Sequence, residues 1–220
     1  MEKMTRQKIV DVLEDSRREL RILKITSTSH RRRAQSKVFK ASVEACGSVS
    51  KSRRKTIADM NSDQWIHNFD ASEDDDAFQA EMEKRACASA KFLAETSNPF
   101  ELHLFAIDWN WDDGVQSLPK LVKNDACDAG TALMLYWFTN PERYTTYQTI
   151  QDCPGDKRAE WKLSRCIERK FKRSEFGSRL IPFDPSPWVT DGYEQYAVRK
   201  IPQVMLDSIV PQQRRPRKKK

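Results

Sequence analysis

The chain has 220 residues, of which 38% are hydrophobic and 32% charged, with six Trp and ten Phe. That length accommodates one sizeable domain with extensions, and the aromatic content excludes a fully disordered protein. Five scattered cysteines without a CxxC pair exclude a disulfide framework and a structural zinc knuckle. Because the charged first 24 residues lack the apolar stretch of a secretory signal and no window is long enough to span a membrane, we expect a cytoplasmic protein with reduced thiols.

The net charge of +7 is distributed unevenly along the chain. Residues 17–55 carry a net charge of +11, residues 59–95 carry −7, and the last nine residues hold six cations and no acid. Such segregation favours either binding to polyanions or contact between oppositely charged parts of the same protein. Charge alone does not distinguish these two possibilities.

Apolar residues recur at helical spacing through most of the chain, which predicts an all-α fold without internal repeats. The expected architecture is a compact helical domain with a basic N-terminal extension and a basic disordered C-terminal tail. The predicted segments are an amphipathic N-terminal helix within residues 1–24, a mobile or weakly helical basic linker over 25–58, the helical domain over 59–209, and the tail over 210–220.

Capping residues mark the predicted helices in the first half of the domain. A short helix is expected after Ser62, and Ser72 with Asp75 predicts the start of a helix that runs to about Glu95. Asn98, Pro99 and Glu101 then form a typical helix start, and the Asp-Asp-Gly at 112–114 predicts its end.

The second half of the domain is predicted to contain shorter helices. Residues 115–123 and 128–138 each read as a helix, the latter capped by Asp128, and residues 156–172 as a longer amphipathic one. Three prolines between 179 and 189 predict an extended segment, and residues 193–209 a final helix that Pro202 kinks or breaks.

The most distinctive stretch combines an Asn-Trp-Asp-Asp-Gly turn at 110–114, then Pro119, then Cys127-Asp128-x-Gly-Thr-Ala-Leu133 before an apolar helix. It resembles a bacterial family known as domain of unknown function 4274, over residues 92–144 and on to 185 if the Ile-Pro-Phe-Asp-Pro run is included. The resemblance implies a small helical fold and brings no established activity. One departure is the Thr-Asn-Pro-Glu-Arg turn at 139–143, which could alter function if it lines a site.

Two interpretations of this motif stay open. In the first, its Asp and Asn residues cap and stop helices while the Trp residues pack in the core. In the second, oxygen and nitrogen groups converge on a polar pocket that could bind a ligand or a hard cation, although the spacing is not that of a calcium loop and no metal or cofactor is expected. The candidate pocket residues are His103, Asp108, Asn110, Asp112, Asp113 and Asp128.

The sequence gives little support for catalysis, and we assign no catalytic residue. It contains no metalloprotease, nucleophile-elbow or phosphate-loop motif. His103 is the one plausible acid–base candidate among three histidines, and a pairing of Cys127 with His103 stays open. An enzyme or metal site around His103, Asp112 and Asp128 is therefore a third hypothesis for function.

Basic clusters near both ends could neutralise phosphates without reading sequence, since no aromatic residue is interleaved to stack on bases. They could equally be solvated tails, contacts to the acidic segment, or a signal for nuclear or host-directed delivery. The candidate polyanion-binding residues are Arg31, Arg32, Arg33, Arg53, Arg54, Lys55, Arg214, Arg215, Arg217, Lys218, Lys219 and Lys220.

Together these patterns favour a helical interaction module that binds a protein partner, such as an immunity or accessory protein, with its basic ends contacting polyanions. The alternative is a non-specific nucleic-acid-binding protein that uses those ends.

Overall fold

The computed structural model describes residues 44–62, 75–190 and 192–211, together with Val38, Lys40 and Ala41. The side chains of Asp75 and Asp112 lie outside this description. The predictions that fall outside it are the helix within residues 1–24, the helix expected after Ser62, the basic clusters at 31–33 and 214–220, and the tail beyond residue 211. The helix predicted to run from Ser72 to about Glu95 is described from Asp75 onward, and only its start lies outside.

The described part of the chain folds as α-helices joined by short 3₁₀ turns, which confirms the all-α prediction. The α-helices are α1 (Lys51–Asn61), α2 (Asp75–Glu95), α3 (Pro99–Ile107), α4 (Leu118–Lys123), α5 (Ala129–Phe138) and α6 (Arg158–Lys172). The 3₁₀ turns are Trp111–Asp113, Pro141–Thr146, Gly155–Lys157, Tyr193–Tyr196 and Gln203–Met205. None of the helices in the described ranges is both long and apolar enough to cross a membrane.

Helix α5 lies at the centre of the fold. Every residue from Ala129 to Trp137 is buried, because the helix is apolar on all sides and only a core position removes every face from water. Helix α3 packs on one side of it and α6 on another, while α1 packs on α3 and α2 on α4. The centre of the domain is therefore the apolar helix that directly follows the distinctive motif.

The predicted start of α3 is confirmed in detail. The Asn98 side chain accepts a hydrogen bond from the Phe100 backbone N–H at 3.0 Å, Pro99 occupies the first turn, and Glu101 supplies an acid there. The helix ends earlier than predicted, at Ile107, and the chain then makes the 3₁₀ turn Trp111–Asp113 before Gly114, whose φ is +72°. The Asp-Asp-Gly turn lies where it was predicted, and only the end of the helix differs from the prediction, by a few residues.

The segment predicted as a linker contains α1, which is packed against α3. Arg53 donates to Glu101 at 2.8 Å and stacks over the Phe92 ring at 5.3 Å. Arg54 donates to the backbone carbonyls of Cys46 and Val49. These arginines hold α1 on the domain, so residues 51–58 differ from the mobile linker expected there.

The prediction of a final helix over residues 193–209 is wrong. The structure has two 3₁₀ turns there, Tyr193–Tyr196 and Gln203–Met205. Between and after these turns, backbone groups pair with distant residues: the Val198 and Arg199 N–H groups donate to the Thr145 carbonyl, and Ile209 forms an isolated antiparallel bridge with Phe183. The neighbouring extended segment over 179–189 is as predicted.

Candidate functional site

The Asn-Trp-Asp-Asp-Gly part of the motif forms a closed turn after α3. The Gly114 N–H donates to the Trp111 carbonyl at 3.2 Å, and the Trp109 indole N–H donates to the Gly114 carbonyl at 2.9 Å. The positive φ of Gly114 is strained for any residue with a Cβ, which explains glycine at this position. The Asn110 amide donates to Asp113 at 3.3 Å, so polar groups of the turn bond to one another.

Asp128 is fully buried and joins α5 to a segment fifty residues later in the sequence. Its Oδ1 accepts from the Gly130 N–H at 2.8 Å and the Ile181 N–H at 3.3 Å, and its Oδ2 accepts from the Ser178 hydroxyl and the Leu180 N–H, both at 2.7 Å. We name this arrangement the Asp128 clasp. The carboxylate is thus both the N-cap of α5 and the anchor of the extended segment.

The motif requires glycine two residues after Asp128, because the same extended segment lies very close to the start of α5. A Cβ placed on Gly130 would lie 2.0 Å from the Ile181 carbonyl oxygen, a distance that no side chain tolerates. The Ala129 N–H also donates to the Ser178 carbonyl at 3.0 Å. The backbone of residues 178–181 therefore lies directly against the first turn of α5, where only glycine fits.

His103 is buried on α3, with 1% of its surface exposed, and contacts the residue that follows the motif glycine. Its Nδ1 lies 2.9 Å from the Thr131 hydroxyl oxygen. Burial lowers the pKa of this imidazole from 6.5 to about 4, so His103 is neutral at physiological pH. A neutral histidine with so low a pKa is a weak base, and its geometry is that of a link between α3 and α5.

Cys127 does not form a thiol–imidazole pair with His103 in this structure. Its sulfur is buried and lies 3.8 Å from the Asp128 carbonyl oxygen, whereas His103 pairs with Thr131. Burial raises the pKa of the Cys127 thiol to about 12, which leaves it protonated. The conditions for a nucleophilic thiolate are absent at this position.

The other candidates for a polar pocket lie around the turn after α3. Asp108 is the C-cap of α3, and partial burial raises its pKa above the usual value. Asn110 and Asp113 pair across the turn, whereas Asp128 bonds to residues 130 and 178–181. Within the described residues, no group of three or more His, Cys, Asp or Glu side chains is placed to hold a metal ion.

Two buried glutamates form polar links that the sequence analysis did not identify. Glu168 on α6 accepts from the Tyr136 hydroxyl at 2.9 Å and from the Arg199 guanidinium at 3.0 Å, and also pairs with Arg165. It lies on the apolar side of α6, beside Ile167, so an acid on the buried side of an amphipathic pattern was the signal that could have revealed it.

The second buried glutamate, Glu142, belongs to the turn at 139–143 that departs from the family pattern. Asn140 adopts a left-handed conformation with φ of 55°, and the 3₁₀ turn that follows places Glu142 against residue 190. Both the Thr190 N–H and its hydroxyl donate to the Glu142 carboxylate, the hydroxyl at 2.7 Å. The departure therefore supplies a structural contact to the C-terminal part of the domain.

The exposed face of α6 carries a row of cations, which the sequence analysis also missed. At 100° per residue, the five side chains fall within about 80° of the helix circumference. The two acids of α6 lie elsewhere, since Glu168 is buried and helical spacing places Glu160 on the opposite side. We name this set the cationic row; its members are Arg158, Lys162, Arg165, Arg169 and Arg173.

An open groove borders the C-terminal end of the cationic row. It has a volume of about 530 Å³, and Arg169 and Arg173 line one side of it, with Lys123 and Asp125 from the end of α4 on another. Lys170 also reaches the groove, but its ammonium donates to the Val122 carbonyl at 2.8 Å and lies over the Phe176 ring at 4.8 Å. Lys170 thus holds α6 on α4, whereas Arg169 and Arg173 are exposed.

These features define a helical domain whose buried polar groups join distant segments and whose α6 carries a row of cations on one face. Residues 97–172 match the family model described as Domain of unknown function (DUF4274), which confirms the resemblance suggested by the motif. The match extends from Ser97 through the last residue of α6, so the similarity is confined to this central segment. No curated protein and no solved structure matches the chain.

Proposed function

We propose that the protein is a non-catalytic interaction module that binds an acidic macromolecular partner through the cationic row of α6. One observation carries the proposal. Most cations of the row are exposed, whereas the polar groups of the motif form hydrogen bonds within the fold. Among the described residues, the exposed cations therefore have no catalytic group assigned beside them.

The buried candidates support binding over catalysis because they are enclosed in the core and are hydrogen-bonded mainly to other parts of the fold, although the Nε2 of His103 is buried without a partner. Asp128 accepts four hydrogen bonds from residues 130 and 178–181, and Cys127 is protonated and buried. His103 is neutral and bonded to Thr131. A general acid or base needs access to substrate and a pKa near the working pH, and His103 and Cys127 have neither.

The cationic row supports an acidic partner because its charge is not balanced on the helix surface. Arg169 is exposed, and the Arg173–Glu175 pair, at 3.5 Å, joins side chains that are 71% and 42% exposed. Exposed ion pairs of this kind contribute at most about 1 kcal/mol, so a partner can displace Glu175 easily. A concentrated field of one sign steers and holds partners of the opposite sign.

The proposal is tested with two charge-reversal variants of the full chain that change the net charge equally. One variant carries Arg169→Glu and Arg173→Glu in the row; the other carries Lys84→Glu and Lys91→Glu on α2. We expect binding to heparin and to poly-glutamate, measured by fluorescence anisotropy at low salt, to fall at least tenfold in the row variant only. Equal losses in both variants would mean that net charge, and not the row, determines binding, and would contradict the proposal.

A further inference from the structure

The cationic row has a regular spacing along one line. Its members follow one another at steps of three or four residues, so one cation occurs in each helical turn from Arg158 to Arg173. At a rise of 1.5 Å per residue the row is about 22 Å long, with charges about 5–6 Å apart. Consecutive phosphates on one strand of a duplex also recur at short regular intervals, about 3.4 Å along the helix axis.

Building on the proposed function, we propose that the partner is a nucleic-acid duplex, and that the cationic row binds its phosphate backbone. Four of the five row members are arginines, whose planar guanidinium matches a phosphate with two parallel hydrogen bonds. An acidic protein surface presents carboxylates at irregular positions, whereas a duplex presents a continuous line of charge that matches a line of cations.

The row is suited to a duplex and not to single strands because its helix offers no exposed stacking surface. Trp161 packs against the buried cluster of Tyr144, Tyr147 and Cys153, and Phe171 is buried. Binding to single strands depends on aromatic side chains on which bases stack. A surface of arginines without such aromatics contacts the backbone only, and binding should depend little on sequence.

The neighbouring charges decide which members of the row are free. Arg165 pairs with the buried Glu168, and its guanidinium lies 5.9 Å from the centre of the Trp161 ring, so it mainly belongs to the fold. Arg173 has the exposed Glu175 beside it, and Asp125 lines the groove near Arg169. Arg158 donates through Nε to the Cys153 carbonyl at 3.0 Å, which leaves its two terminal nitrogens for a phosphate. Four cations then remain for phosphates: Arg158, Lys162, Arg169 and Arg173.

Four phosphate contacts set the size of the expected salt effect. The logarithm of the binding constant falls with the logarithm of salt concentration by about 0.9 per phosphate contact. The row alone should therefore give a slope of about −3.6, and affinity should fall on the order of 100-fold between 50 and 200 mM salt. Removing two of the four contacts should make the slope less steep by about 1.8.

The experiment measures this slope by fluorescence anisotropy for the full chain with duplex DNA, duplex RNA, single-stranded DNA and poly-glutamate. The row variant carries Arg169→Gln and Arg173→Gln, and its matched control carries Lys84→Gln and Lys91→Gln on α2. A third variant has Arg31, Arg32 and Arg33 changed to Gln and lacks residues 212–220, because the basic ends could bind independently. Circular dichroism and thermal melting of every variant show that each one is folded.

We expect the duplexes to bind more tightly than poly-glutamate or the single strand, and the slope to decrease by about 1.8 in the row variant but not in its control. The variant of the basic ends should retain the part of the slope that the row contributes. Duplex binding that depends on the ends and ignores the row would overturn this assignment.

Failure of this inference is distinguishable from failure of the proposed function. Row-dependent binding to poly-glutamate at least as tight as to either duplex would overturn the assignment of nucleic acid and keep the interaction module. Row-dependent binding that is tightest to the single strand would overturn the duplex assignment alone. If the full chain binds none of the polyanions, both proposals fail.

Discussion

The interior around α5 and the exposed face of α6 use polar residues in opposite ways. Inside, the carboxylate of the Asp128 clasp accepts four hydrogen bonds and joins segments fifty residues apart. Outside, Arg169 and Arg173 make few contacts with the rest of the chain. Because an unpaired buried charge is costly and an exposed one is not, the first set is tied to stability and the second is free for binding.

The comparison predicts that the largest effect on stability comes from removing the buried carboxylate. In Asp128→Ala the N–H groups of Gly130, Leu180 and Ile181 lose their acceptor, and α5 loses its N-cap. We expect the free energy of unfolding, measured by urea denaturation, to fall by about 3–5 kcal/mol.

The control for this variant is Asp207→Ala, an exposed acid that accepts only from the Gln203 side chain at 3.1 Å. Its effect should stay below about 0.5 kcal/mol. If the two variants were equally stable, Asp128 would not anchor the extended segment and the clasp would have little energetic weight.

The next largest effect concerns the pH dependence of stability. His103 has a pKa of about 4 in the folded protein and the ordinary value of 6.5 when unfolded, so the unfolded chain binds more protons between these values. The stability contribution is complete above pH 6.5 and is lost as the pH falls towards 4, amounting to about 3 kcal/mol.

Urea denaturation at several pH values measures this dependence in the wild type and in His103→Gln, which cannot titrate. The difference in stability between the two proteins should shrink steadily from pH 6.5 to pH 4. A constant difference over that range would show that His103 titrates normally, and therefore that it is not buried as described.

A smaller loss of stability is expected where α5 meets the extended segment. In Gly130→Ala the added methyl group would collide with the Ile181 carbonyl, and the backbone must move to relieve the contact. We expect the free energy of unfolding to decrease by about 1–3 kcal/mol. Gly155→Ala is the matched control, since nothing lies within 4 Å of its added Cβ, and it should be neutral or slightly stabilising.

The smallest effect on stability is expected from the cationic row. Changing Arg169 and Arg173 to Gln removes exposed charges, so thermal melting should reveal a change in stability of no more than about 0.5 kcal/mol. The same variant should show the large change in duplex binding described above. A strong destabilisation would place these arginines with the interior polar groups and remove the distinction between the two regions.

Local signals in the sequence were sufficient for several elements of the fold. Asn98, Pro99 and Glu101 marked the start of α3, and Asp128 marked the start of α5, because a cap is formed by residues adjacent in sequence. The apolar run of α5 also marked a helix, since its pattern is read from residues adjacent in sequence. Those predictions depended on neighbours within one turn.

The candidate site could be foreseen only in part. The motif indicated that Asp128 and His103 mattered, and Asp128 was correctly predicted as a cap, but its bonds to residues 178–181 depend on contacts fifty residues away. The cationic row was present in the helical spacing of residues 158–173, but its members stand three or four residues apart, so they do not form a continuous basic cluster in the sequence and align only when the helix forms.

What the sequence by itself determined is the helical class, the resemblance of the central segment to a domain of unknown function and the caps that start its helices, since each rests on short-range patterns. The tertiary structure alone decided the end of the chain, where residues 193–209 pair their backbone groups with Thr145 and Phe183 instead of forming a helix. It also decided the partners of Glu142 and Glu168, because a buried carboxylate must find donors wherever packing brings them.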